Sequence, residues 1–464
     1  MNYPFWEVPF IGSGWVIGMI AIFHVMISQF AVGGGLWLPI AERKALREGN
    51  ADWMNQVKKH ARFFLILTGV FGTVSGVGIW FAIGLTQPEA TSTLIHNFVF
   101  GWALEWVFFL VELTTIAVYY YTWDRIPQKL HLKVGWVYAV SSVCTLIIIN
   151  GILTFMLTPG DTWLSVAGTG HEAGKFWNAF FNPTYWPGLL MRTLVCITLA
   201  GVWALITGSL IDNDKQPGFK AGYLRWTTRW LVPSFVLMPF ALVWFLHMVP
   251  QSQRALLSLG MSTIGAGTFS QVTRLVLIMV ITSATIVIIT YYLAYKNPQD
   301  FTLAHATAIL MLALMATGAG EMAREMLRKP YVIGRHMYSN GTRVSEVAGR
   351  NQNGYLQHSL WVNQNTSAHF AEGEAMYRGQ CGSCHTLTGY RSLNKLLAGR
   401  DRESVGSLLT MLHEYKPETS YRKFMPPLTG TPEEIDALRD YLYAQSTPAP
   451  PAHPAPAPTL KAQK

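Results

Sequence analysis

The chain has 464 residues, half of them apolar and only 13% charged, with a positive mean hydropathy. That balance excludes an ordinary large soluble enzyme and fits a polytopic membrane protein. The net charge of +9 is no nucleic-acid signature, because in a membrane chain what matters is the side on which Lys and Arg lie. The expected fold is all-α: a polytopic membrane helix bundle of about eight spans with its N-terminus outside, followed by a small C-terminal domain outside.

Apolar runs long enough to cross roughly 30 Å of hydrocarbon fall near 12–40, 63–85, 98–122, 135–158, 188–211, 229–249, 272–295 and 302–321. The first is too long for a cleavable signal and lacks a charged leader, so it is expected to stay as a membrane helix. Many Trp and Tyr sit near the ends of these runs, where amphipathic rings settle at the interface. Arg43, Lys44, Arg47, Lys58, Lys59 and Arg62 follow the first span, and Arg125, Lys129 and Lys133 the third. Lys215, Lys220, Arg225 and Arg229 follow the fifth and Lys296 the seventh, whereas the alternate connections hold little beyond Lys175 and Arg254. Positive residues favour the inner side, so the N-terminus and everything after the eighth span are expected outside a bacterial cytoplasmic membrane.

Ionisable residues within spans are costly, and each is a functional hypothesis by default. His24 lies about twelve residues into the first span, roughly 18 Å along the helix from outside. Glu105 and Glu112 stand seven residues apart on one face of the third span. Asn150 is in the outer third of the fourth, with Ser142 eight residues further in, and Glu325 follows the eighth beside Glu321, Arg324 and Arg328. His24 alone also admits the plainer reading of a hydrogen-bonded core residue, and the two glutamates that of paired structural acids. Together with His24 they suggest a polar layer in the outer half of the bilayer, with Glu112 and Glu105 placed for a proton route from inside.

Beyond the eighth span, residues 1–330 give way to a polar connector at 331–365, a compact unit at 366–446 and a Pro/Ala-rich tail at 447–464 expected to be disordered. Cys144 and Cys196 are single residues in apolar runs, read as small core side chains. Cys381-Gly-Ser-Cys384-His385 has the spacing of covalent c-haem attachment, with His385 as proximal iron ligand. Met425 in Phe424-Met-Pro-Pro-Leu428 is the expected second axial ligand and His413 its competitor. Thr431, Pro432 and Glu434 are cap, first-turn proline and capping-box acid of a closing helix. The unit resembles a class I cytochrome c, carrying one haem c.

The spans resemble subunit I of the cytochrome bd-type oxygen reductases. The resemblance rests on Phe23-His24, Glu105, Phe108-Phe-Leu-Val-Glu112, Trp123-Asp-Arg125, Asn150-Gly151, Asn182-Pro183, Glu325-Met-Leu-Arg328-Lys-Pro330 and Val332-Ile-Gly334. It implies two haems, b and/or d, in the bundle, with His24 and Glu325 as iron ligands and Arg328 offsetting haem or carboxylate charge. It further implies Glu105, Glu112 and Ser142 as a proton route, O2 as the oxidant, and a second multispan bd-like subunit as partner. The sequence departs from the family where a third, low-spin haem b is held: Arg192 and Val276 take the aligned positions, and neither is a good ligand. His247 is the available substitute, read more simply as an interface residue. Only about twenty residues join spans six and seven, too few for the family's quinol-oxidising loop, and the cytochrome c unit stands where a ninth span would be.

These departures suggest a terminal oxidoreductase fed by the fused c haem, which would take electrons from a soluble or membrane cytochrome c or another outer-side donor. Two further readings stay open: a non-catalytic electron-transfer or anchoring subunit of a larger respiratory complex, and a quinol dehydrogenase passing electrons to the c haem. O2 and nitric oxide are not distinguished by sequence.

Overall fold

A computed structural model of the chain describes residues 6–216, 218–249, 251, 271–362 and 369–447. The Pro/Ala-rich tail past Thr447, Arg254 and nearly all of the connection between the sixth and seventh spans lie outside the described residues. Contacts divide the chain into a membrane unit, 15–344 with 423–425, and a smaller unit, 6–14 with 345–422 and 426–447.

Among the described residues eight helices are long and apolar enough to span a membrane, as the sequence predicts. They are α1 (Ser13–Glu48), α2 (Ala51–Thr86), α3 (Pro88–Tyr121), α4 (Gln128–Leu157), α5 (Tyr185–Ser209), α6 (Phe219–Met248), α7 (Thr273–Lys296) and α8 (Leu303–Arg328). Several run past their apolar windows. A helix does not end where hydrocarbon ends, because its backbone bonds remain satisfied within the segment and its charged turns reach water. Thus α1 continues through Arg43, Lys44 and Arg47, and α8 carries Glu325 and Arg328 within its last turns rather than beyond its end.

Three successive glycines let α1 approach three other helices closely. A Cβ on Gly33 would sit 2.0 Å from the Cys196 carbonyl oxygen of α5, one on Gly34 2.4 Å from the Phe64 ring of α2, and one on Gly35 2.5 Å from Ser142 Oγ of α4. Small residues let membrane helices approach closely enough for dispersion to hold them together. The Asn150-Gly151 and Asn182-Pro183 motifs meet at the end of α4. Asn150 Nδ2 donates to the Tyr185 carbonyl (2.9 Å), and Asn182 Nδ2 donates to the Gly151 carbonyl (3.2 Å) and to Thr154 Oγ1 (3.0 Å).

The first part of the predicted polar connector is structured. β1 (Tyr331–Ile333) and β2 (Met337–Tyr338) form an antiparallel hairpin. Ile333 and Met337 are fully buried with Phe98, Phe155 and Trp163, so 331–344 completes the membrane unit. The polar Asn, Gly and Ser that marked a connector are its turn residues.

The smaller unit contains α9 (Val347–Asn353), α10 (His369–Met376), α11 (Arg402–Glu414) and α12 (Pro432–Ser446) around Met376, Val405, Leu409, Leu438 and Leu442. The predicted capping box of α12 forms. The Glu434 carboxylate also accepts from the backbone N–H groups of Tyr355 (2.8 Å) and Leu356 (2.9 Å), which ties this part of the connector into the unit. An N-terminal strap joins too, its Phe10 carbonyl accepting from Tyr390 N (2.9 Å).

Asp440 ties α12 to α11 and α10: it accepts from Arg402 (2.7 and 3.0 Å), from Arg439 (3.0 Å) and from His369 (3.0 Å). The hydrogen bond from Arg402, then that from Arg439, holds its carboxyl well below the ordinary carboxylate range. A carboxyl depressed in the folded state adds stability above its unfolded value near ~3.9 and loses it as pH falls through the folded one. Asp440→Asn should therefore speed hydrogen exchange of α12 in the intact chain at pH 7, by roughly 1 kcal/mol of local stability. The gap to the unmodified chain should narrow below about pH 4.

Candidate functional site

The Cys-x-x-Cys-His turn lies at the C-terminal end of α10, where a single π turn, Tyr377–Cys381, follows the helix. The backbone N–H groups of Cys384 (3.1 Å) and His385 (2.9 Å) both donate to the Cys381 carbonyl, so the two thiols and the imidazole issue from one tight turn. No disulfide joins the two cysteines. Burial, then Cys384 beside it, pushes the Cys381 thiol up to about 12, opposite to the low-pKa thiolate of a redox dithiol.

His385 Nδ1 lies 3.0 Å from the Arg391 carbonyl. A carbonyl only accepts, so Nδ1 carries the proton and Nε2 keeps its lone pair. Burial also lowers the pKa of His385, which favours the neutral imidazole that metal coordination requires.

Gln380 fixes the loop that follows Met425. Its Nε2 donates to the Thr429 carbonyl (2.7 Å), and its Oε1 accepts from Thr429 N (2.8 Å). Met425 is half-buried in this loop, within the short stretch 423–425 that groups with the membrane unit. The competitor His413 has Nδ1 committed to the Leu428 carbonyl at 3.1 Å.

In the membrane unit His24 repeats the logic of His385. Its Nδ1 is 2.9 Å from Ser75 Oγ, and the Ser75 hydroxyl donates to the Phe71 carbonyl at 2.5 Å. With the serine proton engaged there, Ser75 accepts from His24 Nδ1–H, and Nε2 is left as the free ligand atom. A Cβ on Gly76 would stand 3.3 Å from His24 Cε1, so the residue after Ser75 leaves room at the ring. Ser75 reaches this position just after the π-helical turn Leu67–Gly72, which rotates the later part of α2 relative to the earlier.

Glu112 and Ser142 are buried and Glu105 is half-exposed. At the end of α8, Glu325 accepts from Arg328 through Oε2, leaving Oε1 with Lys329 Nζ at 3.8 Å. Glu321, one turn earlier, pairs with Arg324 (2.9 Å) and with Arg192 of α5 (3.3 Å). Arg192 is thus a buried cation paired with an acid. His247 is exposed.

Sequence reasoning missed several residues. Ser75 is one of many serines, and only folding identifies it. Glu42 of α1, Tyr119 of α3 and His131 of α4 are buried in mutual contact, yet the sequence places Glu42 beside a charged loop and His131 in a basic connection. His60 is buried flat against Trp37 (4.0 Å), with Nε2 near Thr207 Oγ1 (2.7 Å) and Tyr223 OH (3.1 Å).

Eight candidate spans among the described residues, packed through glycine contacts and carrying titratable groups on α1, α3 and α4, define a polytopic helical membrane protein. The solved structure of bd oxidase from Geobacillus thermodenitrificans aligns with a TM-score of 0.59 at 16% identity, covering 69% of this chain and 87% of that one. The family described as Cytochrome bd terminal oxidase subunit I matches residues 13–211, which is α1 to the end of α5. The Cytochrome bd ubiquinol oxidase subunit 1 of Bacillus subtilis (strain 168) is 24% identical over 208 residues, 44% of this chain and 43% of that protein. The chain thus spans under half the length of the curated relative it matches. His24, Ser75, Glu105, Glu112 and Ser142 lie within the matched segment, and Glu325 and Arg328 beyond it.

Proposed function

We propose that the chain is the haem-bearing subunit of a bd-like terminal oxygen reductase that receives electrons through its own cytochrome c unit. The observation that carries this reading is that His24 and His385 each have Nδ1 held by a protein acceptor and Nε2 left free, the tautomer an iron ligand needs. Bound haem would supply electron transfer at the c unit and O2 reduction in the bundle.

The chain's own residues then have distinct roles. Cys381 and Cys384 would attach one haem c by thioether bonds, with His385 and Met425 on its iron. His24 and Glu325 would each hold a haem, b or d, and Arg328 would orient Glu325 and offset haem or carboxylate charge. Glu112 and Glu105 would hand protons outward along one face of α3, with Ser142 of α4 as the hydroxyl of the same route. The Arg192–Glu321 pair argues against a third, low-spin haem b at that position. A second multispan bd-like subunit would complete the complex in a bacterial cytoplasmic membrane, with the c unit on the outer side and an outer-side cytochrome c or similar protein as donor.

The test uses the purified complex: reduced-minus-oxidised spectra with and without CO, haem extraction, and O2 uptake driven by reduced soluble cytochrome c. A CO-sensitive high-spin haem with O2 uptake is the expected outcome. Low-spin signals alone, with no CO shift and no uptake, would leave a non-catalytic electron-transfer or anchoring subunit.

A further inference from the structure

The Glu42, Tyr119 and His131 cluster brings three titratable side chains from three helices together in a site 2%, 0% and 6% exposed. His131 Nε2 is 2.8 Å from the Tyr119 carbonyl, which only accepts, so Nε2 carries a proton. His131 Nδ1 is 2.7 Å from Glu42 Oε1, and Tyr119 OH donates to Glu42 Oε2 at 2.7 Å. With Nε2 protonated, a neutral imidazole has a lone pair on Nδ1, and a lone pair facing a carboxylate at 2.7 Å in a buried site is unfavourable. One proton therefore lies between Nδ1 and Oε1, shared by imidazolium and carboxylate or by imidazole and carboxylic acid.

The cluster stands at the Lys/Arg-rich end of the bundle. Trp123 packs edge-on against His131 at 4.6 Å, Lys58 Nζ lies 5.7 Å from the Trp123 ring, and Lys58 pairs with Asp124 at 3.1 Å. Two buried stripes lead away from it. On α4, His131, Gly135, Tyr138 and Ser142 recur at helical spacing and are all buried. On α3, Glu112 lies seven residues before Tyr119 on the same face, about 10.5 Å along the axis. The Tyr138 hydroxyl donates to the Ala31 carbonyl of α1 at 3.1 Å. A Cβ on Gly135 would meet the Tyr119 ring at 2.9 Å, so glycine there allows α4 to close on the cluster.

We propose that Glu42 and His131, braced by Tyr119, are the proton-loading station of this protein: the pair passes its proton toward Glu112 and is reprotonated from the Lys/Arg-rich side. One proton leaves, one arrives, and no electron moves at the pair. Transfer across the two turns between the cluster and Glu112 would be carried by water. The proposal rests on the oxygen-reductase reading and adds to it the place where protons are taken up.

The test is proton uptake by the purified, fully reduced complex after an O2 pulse, followed with a pH dye in H2O and D2O. Glu42→Gln should slow uptake about tenfold or more and raise the H2O/D2O rate ratio, with haem content and the CO spectrum unchanged. Glu42→Asp should restore part of the rate. Tyr119→Phe removes one hydroxyl and should slow uptake roughly two- to fivefold, which keeps the test open if Glu42→Gln fails to assemble. Unchanged uptake and isotope ratio in assembled Glu42→Gln, or in Tyr119→Phe should the former not assemble, overturns the station alone. If the unmodified complex takes up no protons on the pulse, the oxygen-reductase reading falls and the station falls with it.

Discussion

Replacing Cys381 and Cys384 together by Ala should abolish covalently bound haem. In a denaturing gel stained for haem peroxidase activity, the band of the unmodified chain should disappear completely, and acid-acetone extraction should leave no haem in the protein pellet. Either single substitution leaves one thioether, so a weaker band should remain. The physical reason is local. Both thiols and the His385 imidazole rise from one turn closed on the Cys381 carbonyl, and Arg391 holds the ring with Nε2 free. The same double variant should stop O2 uptake from reduced cytochrome c while leaving the CO response of the bundle intact. Loss of both together would mean that the bundle needs the c unit to assemble, whereas loss of uptake alone identifies the c unit as the route of electrons. A band unaffected by both substitutions would remove the cytochrome c assignment.

What the sequence made legible follows the range of each interaction. The spans are visible because a membrane demands long apolar runs whatever their partners. The Cys-x-x-Cys-His turn and the α12 capping box are visible because every participant lies within a few residues. The Arg192–Glu321 pair joins residues 129 apart, and Glu42 and His131 are 89 apart, so no local pattern announces either. Composition also misleads near helix ends. Glu42 and His131 sit in stretches rich in Lys and Arg, where a solvated charge is the ordinary reading, yet α1 and α4 carry them into a buried contact. The hairpin at 331–338 was hidden for a similar reason: its two strands are only three and two residues long, and their buried Ile333 and Met337 are outnumbered by polar turn residues. The resemblance to bd subunit I supplied His24 by its position, but the hydroxyl that sets its tautomer depends on the register after the π turn of α2.

That register makes the second large effect a comparison of three variants. His24→Ala should remove one haem of the bundle and the CO response if that haem is the high-spin one, because alanine offers the iron no ligand atom. Ser75→Ala should keep His24 but release its ring: Nδ1–H loses its acceptor, the tautomer with the proton on Nε2 becomes accessible, and the ring is free to turn. Removal of such an orienting partner costs roughly 10- to 100-fold in affinity for the bound group. Ser75→Ala should therefore lower haem occupancy and shift the reduced absorbance band at full chain expression, both read without turnover. Ser75→Thr keeps a hydroxyl able to donate to the Phe71 carbonyl and accept from Nδ1, so it should restore occupancy and band position. A Ser75→Ala spectrum identical to the unmodified one would show that the 2.9 Å contact is packing rather than ligand orientation. An unaltered spectrum in His24→Ala would remove His24 from the iron altogether, and the two failures are told apart by which variant is silent.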